Sequence, residues 1–484
     1  MVRKQSRRKP HTGRIVLLLI VALFLYHVIG GYAPFARAPE LSAENAAAIE
    51  RRAEEMCRDD DSSADRAMIL ETRAQALDER LRLISRAREE IIITTYDCRD
   101  SESTRDILCV ALERADAGVR VRVLVDGLTG WANLKGSALL KAFNAHPNIE
   151  IRFYNPPYFF APWRHMGRMH DKYVIVDGLA YILGGRNMFD HFLGAYPSPT
   201  GTYSNDREAL VYSGARDGKG SLLQVKDYFE TIWTCEDTRS LPNWGIPDSR
   251  RDAMLDDLRE RRAALEADRP ELFDSAVDYR EMTLPTKGVW LVANPINIDA
   301  KQPVVFATLC ALMARAKEDV IIHSPYAVLN GFMRDELAAI AEKAPVTLMI
   351  NAVENGANVV ASGDYLWHRG EVLATGMRVL EYAGGDSYHG KSLAIDGDIS
   401  IIGSFNLDLR SAYVDTELML VIRGEEVNAL LRGHMEALHA DCRQVIDKGA
   451  AETPEGLDIP PLSTGRALAL RALGAVMQLF RNLV

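Results

Sequence analysis

The chain has 484 residues, 48% of them hydrophobic, which is enough for two domain-sized halves with extensions. Its formal net charge is −10, and because residues 1–40 hold seven Lys/Arg against one Asp/Glu, the remainder carries −16. A body this acidic excludes nonspecific nucleic-acid binding through a broadly basic surface, so nucleic acid is disfavoured as a partner.

The N-terminus is basic (Arg3, Lys4, Arg7, Arg8, Lys9, Arg14) and then apolar from Ile15 to Ile29, broken only by His27 and extended by Gly30, Gly31 and Tyr32. Taken whole, this run just suffices to cross a bilayer, and basic residues before a span stay in the cytoplasm. Residues 1–40 are therefore expected to be a retained anchor with the body beyond the membrane. The alternative is a signal segment cleaved near Ala36-Arg37-Ala38, which Pro39 at the scissile bond disfavours.

Residues 41–90 are charged and helical in pattern, broken at Arg58 to Ser63, with Leu70, Leu77, Leu81 and Ile84 on one face; they are expected to form a helical stalk or a packing helix. Strands and helices then alternate through a first α/β half, residues 91–236: Ile91 to Tyr96, a helix near Ser103 to Ala115, Val119 to Val125, a helix near Gly136 to Asn144, and Ile149 to Tyr154. The stretch Asn155 to Met169 is rich in Pro and aromatics and suits either lipid contact or the packing of a rigid loop. Residues 237–285, with Pro242, Pro247, Pro270 and a charged helix near Arg250 to Ala267, are expected to connect the halves. The second half, residues 286–445, repeats the scheme with Val320 to Ser324, Val346 to Asn351 and Met377 to Tyr382 as strands. In the tail, 446–484, Leu470, Leu473, Met477, Phe480 and Val484 share one side of an amphipathic helix that suits a membrane surface or the body equally.

Each half contains one copy of a motif. His170-Asp-Lys172 and His389-Gly-Lys391 are followed at equal spacing by Asp177 and Asp396, Gly184 and Gly403, and Asn187 and Asn406, all displaced by 219 residues. Five positions repeated at one offset are a strong signal. Asp177-Gly178 and Asp396-Gly397 separate two short apolar runs, which marks a hairpin. His and Lys, two apart, share a face, and the return strand brings Asn beside them. The hairpin length puts each motif Asp roughly 20 Å from its His, so Asp177 and Asp396 are read as framework.

Two His, two Lys and two Asn form a set of donors suited to phosphate rather than to a metal. One neutral imidazole can attack phosphorus while the other, protonated, serves the leaving oxygen, with Lys and Asn on the non-bridging oxygens. The chain after each Asn is expected to open a helix. His165, His191 and His323 have no repeated counterpart and are given no role. The six cysteines, at 57, 98, 109, 235, 310 and 442, show no metal-binding spacing, and their pairing is left open.

The paired motif resembles the phospholipase D superfamily, and the string His389 to Ser411, with Val414 to Ile422 after it, is most similar to the bacterial cardiolipin synthase branch. The resemblance spans roughly residues 85–445. It implies two similar α/β halves sharing one active site, a phosphohistidine intermediate, and no metal or other cofactor. It also implies a carboxylate after each Asn that orients a catalytic His: Glu417 in the second half and, across an insertion at Leu193 to Ser204, Asp206 or Glu208 in the first, with Asp206 preferred. The expected activity is phosphatidyl transfer from membrane glycerophospholipid of phosphatidylglycerol type, in a bacterial inner-membrane protein whose body faces the periplasm. The alternatives are a lipid-hydrolysing phospholipase D, a nuclease of the same family, and a non-catalytic phosphate-binding protein. The acceptor, the head-group specificity and the oligomeric state have no readable motif.

Overall fold

The computed structural model describes residues 12–58, 63–134, 136–198, 200–213, 220–241, 245–356 and 358–484; Arg3 to Lys9, Asp59 to Ser62 and Pro242 lie outside the described residues. Two nine-stranded mixed sheets form its frame. In the first, the order across the sheet is Leu284–Pro285, Asp65–Leu70, Glu208–Ser213, Ala180–Gly184, Tyr173–Val176, Glu90–Thr95, Arg120–Asp126, Ile149–Tyr154 and Thr238–Ser240. The second runs Gly288–Ala293, Leu418–Arg423, Ile399–Gly403, Ser392–Ile395, Val320–His323, Val346–Asn351, Arg378–Tyr382, Cys442–Val445 and Ala451–Glu452.

The central strands are buried on both faces, which is why they read as unbroken apolar runs. In the first sheet Val174, Val176, Ile182 and Leu210 face that half's own helices. Tyr173, Ile175, Leu183, Ala209 and Val211 face the other way, into a core shared with Ile321, Ala394, Ile402, Leu418 and Leu420 of the second sheet. The two sheets thus pack on each other, and helices Ser221–Thr234 and Glu425–Ala437 complete the shared core.

Two expectations are corrected. The stalk is not continuous helix: between helices Ala43–Met56 and Arg73–Ser85 the chain forms strand Asp65–Leu70, paired along its length with Glu208–Ser213. Its alternation of buried and half-buried residues from Asp65 to Ile69 was masked by the charged residues around it. Ala43–Met56 is a packing helix, the alternative to a stalk, since Ile49, Ala53 and Met56 enter the core of the second half. The connector likewise belongs to the first half: Thr238–Ser240 and Leu284–Pro285 edge its sheet, and Leu255 and Leu258 of helix Asp248–Asp268 are buried in its core.

Helix Thr12–Tyr32 is long and apolar enough to cross a membrane and projects from the body almost fully exposed. The C-terminal helix Thr464–Met477 lies on helix Val359–Leu373, where Gly474 and Gly363 meet so closely that a Cβ on Gly474 would fall 2.5 Å from the Gly363 carbonyl oxygen. All six cysteines are free.

Candidate active site

Each motif hairpin is built the same way. His170 and Lys172 lead into strand Tyr173–Val176, and the return strand ends where Gly184 N donates to Lys172 O at 3.2 Å; Gly403 N and Lys391 O repeat this at 3.2 Å. A Cβ on Gly184 would fall 2.6 Å from Arg207 O and one on Gly403 2.0 Å from Leu418 O, so only glycine permits this approach. At the opposite end the turn puts Asp177 and Asp396 at φ of 50° and 48°. The Asp177 carboxylate accepts from the backbone N–H groups of Arg88, Glu89 and Glu90, and Asp396 from those of Lys317, Glu318 and Asp319. Each motif Asp therefore pins the start of a neighbouring strand, at the far end of its hairpin from the histidine.

The histidines are held by carboxylates from the opposite half. His170 Nδ1 lies 2.9 Å from Glu417 Oε1, and His389 Nδ1 lies 2.6 Å from Asp206 Oδ2. Backbone pairing between the halves produces the exchange. Met169 bridges Thr416, and His170 N donates to Thr416 O at 3.3 Å; Ser387–Tyr388 pairs in parallel with Ser204–Asn205, and His389 N donates to Asn205 O at 2.6 Å. Strand register also separates Asp206 from Glu208. Gly184 is opposite Glu208 and Gly403 opposite Met419, so Asp206 and Glu417 occupy matched positions two residues earlier. Glu208 instead forms a buried ion pair with Arg80 at 2.6 Å.

His170, His389, Asn187 and Asn406 line one cavity of about 500 Å³, together with Tyr96, Phe192, Asp408, Arg410, Ser411 and Asp415. Tyr96 packs edge-on against His170 and Phe192 against His389, with ring centroids 5.1 and 5.2 Å apart. Asn187 Oδ1 accepts from Asp97 N at 3.2 Å, which leaves its amide donors for a ligand. Behind the histidines, Lys172 Nζ donates to His170 O at 2.5 Å and Lys391 Nζ lies 2.7 Å from His389 Nδ1.

The neighbours not legible in the motif are the two aromatic rings and the hydroxyls of Ser404 and Ser411, both of which donate to Glu417. His191 also reaches the cavity wall, with Nδ1 2.8 Å from Thr202 O. His323 is buried away from it against His439. Nor do both halves open a helix after Asn. Asp408 caps the short helix Leu409–Tyr413, accepting from Ser411 N at 2.6 Å, whereas Asp190 is drawn off to cap helix Glu102–Asp116, accepting from Ser103 N at 2.8 Å.

Burial sets the electrostatics. It pushes Lys172 down to about 8 and Lys391 down to about 7. Burial, with the nearby lysines, holds His170 well below its ordinary value and His389 down to about 3. The carboxylates diverge. Burial alone would raise Asp206, but Lys391 and the His389 hydrogen bond outweigh it and hold it at about 2. Glu417 is pushed by burial up to about 8 against Lys172 and the two serine hydroxyls.

A family described as "Cardiolipin synthase, PLD-like domain" matches residues 81–195 and 309–439, the stretches that carry both hairpins. The chain belongs to this phospholipase D-like family. Among its relatives, Cardiolipin synthase C of Escherichia coli K12 is 26% identical over 404 residues, covering 75% of this chain and 82% of that one. An uncharacterized protein of Helicobacter pylori is also 26% identical, over 391 residues, covering 72% of this chain and 74% of its own. The crystal structure of phosphatidylserine synthase from Haemophilus influenzae Rd KW20 superposes with a TM-score of 0.63 over 90% of this chain and 100% of that one, at 15% identity, and so shares the fold.

Proposed function

We propose that this chain is a phospholipase D-type phosphatidyltransferase that acts on phosphatidylglycerol-type membrane lipid through a phosphohistidine, in the manner of a cardiolipin synthase. The observation that carries this reading is the crossed pair: two histidines on one cavity, each with Nδ1 held by a carboxylate of the other half, backed by Lys172 and Lys391 and flanked by Asn187 and Asn406.

With Nδ1 engaged, Nε2 is the nitrogen of each ring that can act. We assign His170 as nucleophile and His389 as acid. Glu417, near neutral, suits a His170 that starts as a neutral imidazole, whereas the anionic Asp206 stabilises a protonated His389. Burial and the lysines hold His389 low in the empty cavity, and the negative charge of a bound phosphodiester acts in the opposite, raising direction. His170 Nε2 attacks phosphorus, the P–O bond to the first glycerol breaks, and His389 Nε2–H gives its proton to that oxygen. In the second half-reaction His389 takes the proton of an incoming alcohol, whose oxygen attacks phosphorus and releases His170. Lys172, Lys391, Asn187 and Asn406 are assigned to the non-bridging oxygens, where charge builds in the transition state.

Lipid is favoured over nucleic acid by the apolar N-terminal helix, the acidic body and relatives named cardiolipin synthase. The test is lipid mass spectrometry after incubating the purified chain with phosphatidylglycerol vesicles. Cardiolipin is the expected product; phosphatidic acid would make water the acceptor, and cleavage of DNA or RNA with the lipid unchanged would overturn the reading. For orientation, the basic N-terminus supports a body on the periplasmic side. Protease added to spheroplasts should cut beyond residue 35, and protection until the membrane is permeabilised would reverse the topology.

A further inference from the structure

We infer that the body makes a second contact with the bilayer, through an apolar rim formed by the Tyr158–Met166 loop and the C-terminal helix, and that this contact seats the cavity on the lipid surface. The inference rests on the proposed membrane span and lipid substrate, and adds a surface that neither requires.

The loop is held at its base yet exposes its aromatics. Asn155 Nδ2 donates to Arg164 O at 2.6 Å and to Gly167 O at 2.8 Å, and His165 Nε2 lies 2.6 Å from Tyr158 O. Even so, Phe160 is 82% exposed, with Phe159 and Trp163 also at the surface. A loop whose aromatics served only to pack it would bury them. Its position explains the exposure, because it lies against the last turns of the apolar helix Thr12–Tyr32. Tyr26 Oη donates to Phe160 O at 2.8 Å, His27 stacks on His165 at 5.8 Å, and a Cβ on Gly30 would fall 2.6 Å from Pro162 Cγ. Aromatic side chains at the end of a span sit where lipid head groups meet the hydrocarbon.

The other side of the span's exit is occupied by the C-terminal segment. Tyr32 packs edge-on against Phe480 at 5.2 Å, and Asn482 Nδ2 donates to Phe35 O at 3.0 Å. The C-terminal helix keeps Leu470 buried against the body and presents Leu468 and Val476 outward, with Leu479, 69% exposed, just beyond it. Arg466 and Arg471, exposed on the same helix, add cations suited to anionic lipid.

Both parts of the rim end on one residue of the cavity wall. Arg410 lines the cavity, its Nη2 donates to Met166 O at 2.6 Å, and its backbone N donates to Val484 O at 3.1 Å. A bilayer touching the loop and the helix therefore lies next to the cavity, which suits an enzyme whose donor and acceptor both reside in a membrane. Continuity with the span commits the rim to the lipid bilayer rather than to a protein partner.

The experiment uses the full chain in vesicles of phosphatidylethanolamine and phosphatidylglycerol. With the half-exposed Cys57 and Cys235 replaced by Ser, an environment-sensitive fluorophore is attached in turn to F160C, L479C and, as control, L223C beside the distant Asp177 turn. A shallow nitroxide lipid should quench the first two and spare the third. Quenching at all three positions alike, or at none, overturns the inference. Because quenching needs no turnover, it stands or falls separately from the proposed activity. In addition, F159S/F160S/W163S should lower kcat/KM on vesicles about tenfold, from the lost burial of apolar surface in lipid, and leave turnover of soluble short-chain phosphatidylglycerol unchanged. Equal loss on both substrates would make the loop structural and overturn the second contact.

Discussion

The two halves bring matched backbones to the cavity and end with unlike carboxylates. Asp206 and Glu417 occupy equivalent strand positions, both fully buried, both bonded to a histidine Nδ1 of the other half. Yet Asp206 is held down at about 2 and Glu417 pushed up to about 8. Burial acts on both in the same direction, so the difference comes from partners. Both face a lysine, Lys391 for Asp206 and Lys172 for Glu417, but Asp206 adds the His389 hydrogen bond and the Arg186 charge, whereas Glu417 adds two neutral hydroxyls, from Ser404 and Ser411. Gly185 stands where Ser404 stands, and a Cβ there would lie 2.4 Å from Asp206 Oδ1. The two halves are alike in frame, and residues outside the repeated positions set one carboxylate low and the other high, while burial and the lysines hold both imidazoles below their ordinary value.

The comparison is broken most severely if either histidine proves dispensable. In the proposed mechanism one attacks and the other carries the proton, so His170→Ala and His389→Ala should each cut turnover of vesicle phosphatidylglycerol by about 10³–10⁶. Comparable loss in both is expected, and substantial activity in either would mean that one half alone performs the chemistry.

The carboxylates test the asymmetry itself. Asp206→Asn removes a negative charge beside His389 and should cost about 10³ in kcat, whereas Glu417→Gln replaces a largely protonated group and should cost only about tenfold. Equal losses would mean that the cavity holds both carboxylates in one state once substrate is bound.

Legibility in the sequence followed the same division. The hairpins, the central strands and the donor set were readable because each rests on local alternation and on five positions repeated 219 residues apart. Strand Asp65–Leu70 was not, since its six residues carry Asp65 and Arg66, and its pairing with Glu208–Ser213 is set by partners far along the chain. The exchange of carboxylates was invisible for a related reason. It depends on contacts such as Met169 with Thr416, between segments with no local pattern in common. Asp206 itself was readable only as one of two candidates, because the insertion before it hides the register that strand pairing with Gly184 restores.

A smaller effect is expected from the lysines. In the role proposed for them on phosphate their ammonium groups must be charged, and burial brings Lys391 to about 7 and Lys172 to about 8. A group with a lowered pKa keeps its proton only below that value, so kcat/KM should fall as the pH rises through 7 to 8. Since kcat/KM reports the free enzyme and kcat the bound complex, the fall in kcat should come at higher pH, where bound phosphate holds the protons on. A kcat/KM flat to pH 10 would place the lysines outside the titrating set, because that is near the ordinary value for an exposed lysine.

The smallest effect on activity, and the one that separates frame from chemistry, belongs to the motif aspartates. Asp177 accepts from three consecutive backbone N–H groups and Asp396 does the same in the other half, each at positive φ in the hairpin turn. Asparagine tolerates that backbone and keeps one acceptor oxygen, but it turns an N–H₂ toward donors that the second oxygen had served. Asp177→Asn and Asp396→Asn should therefore each lower unfolding free energy by about 1–2 kcal/mol, the range for partly exposed hydrogen bonds of this kind, and leave kcat/KM within a few-fold of the parent. Denaturant titration paired with vesicle turnover measures both quantities on one preparation. Because the two turns are built alike, the two stability losses should agree even though the carboxylates at the cavity do not. If folded Asp177→Asn were as inactive as Lys172→Ala, the aspartate would have to act on phosphate, against a geometry that places it at the other end of the hairpin.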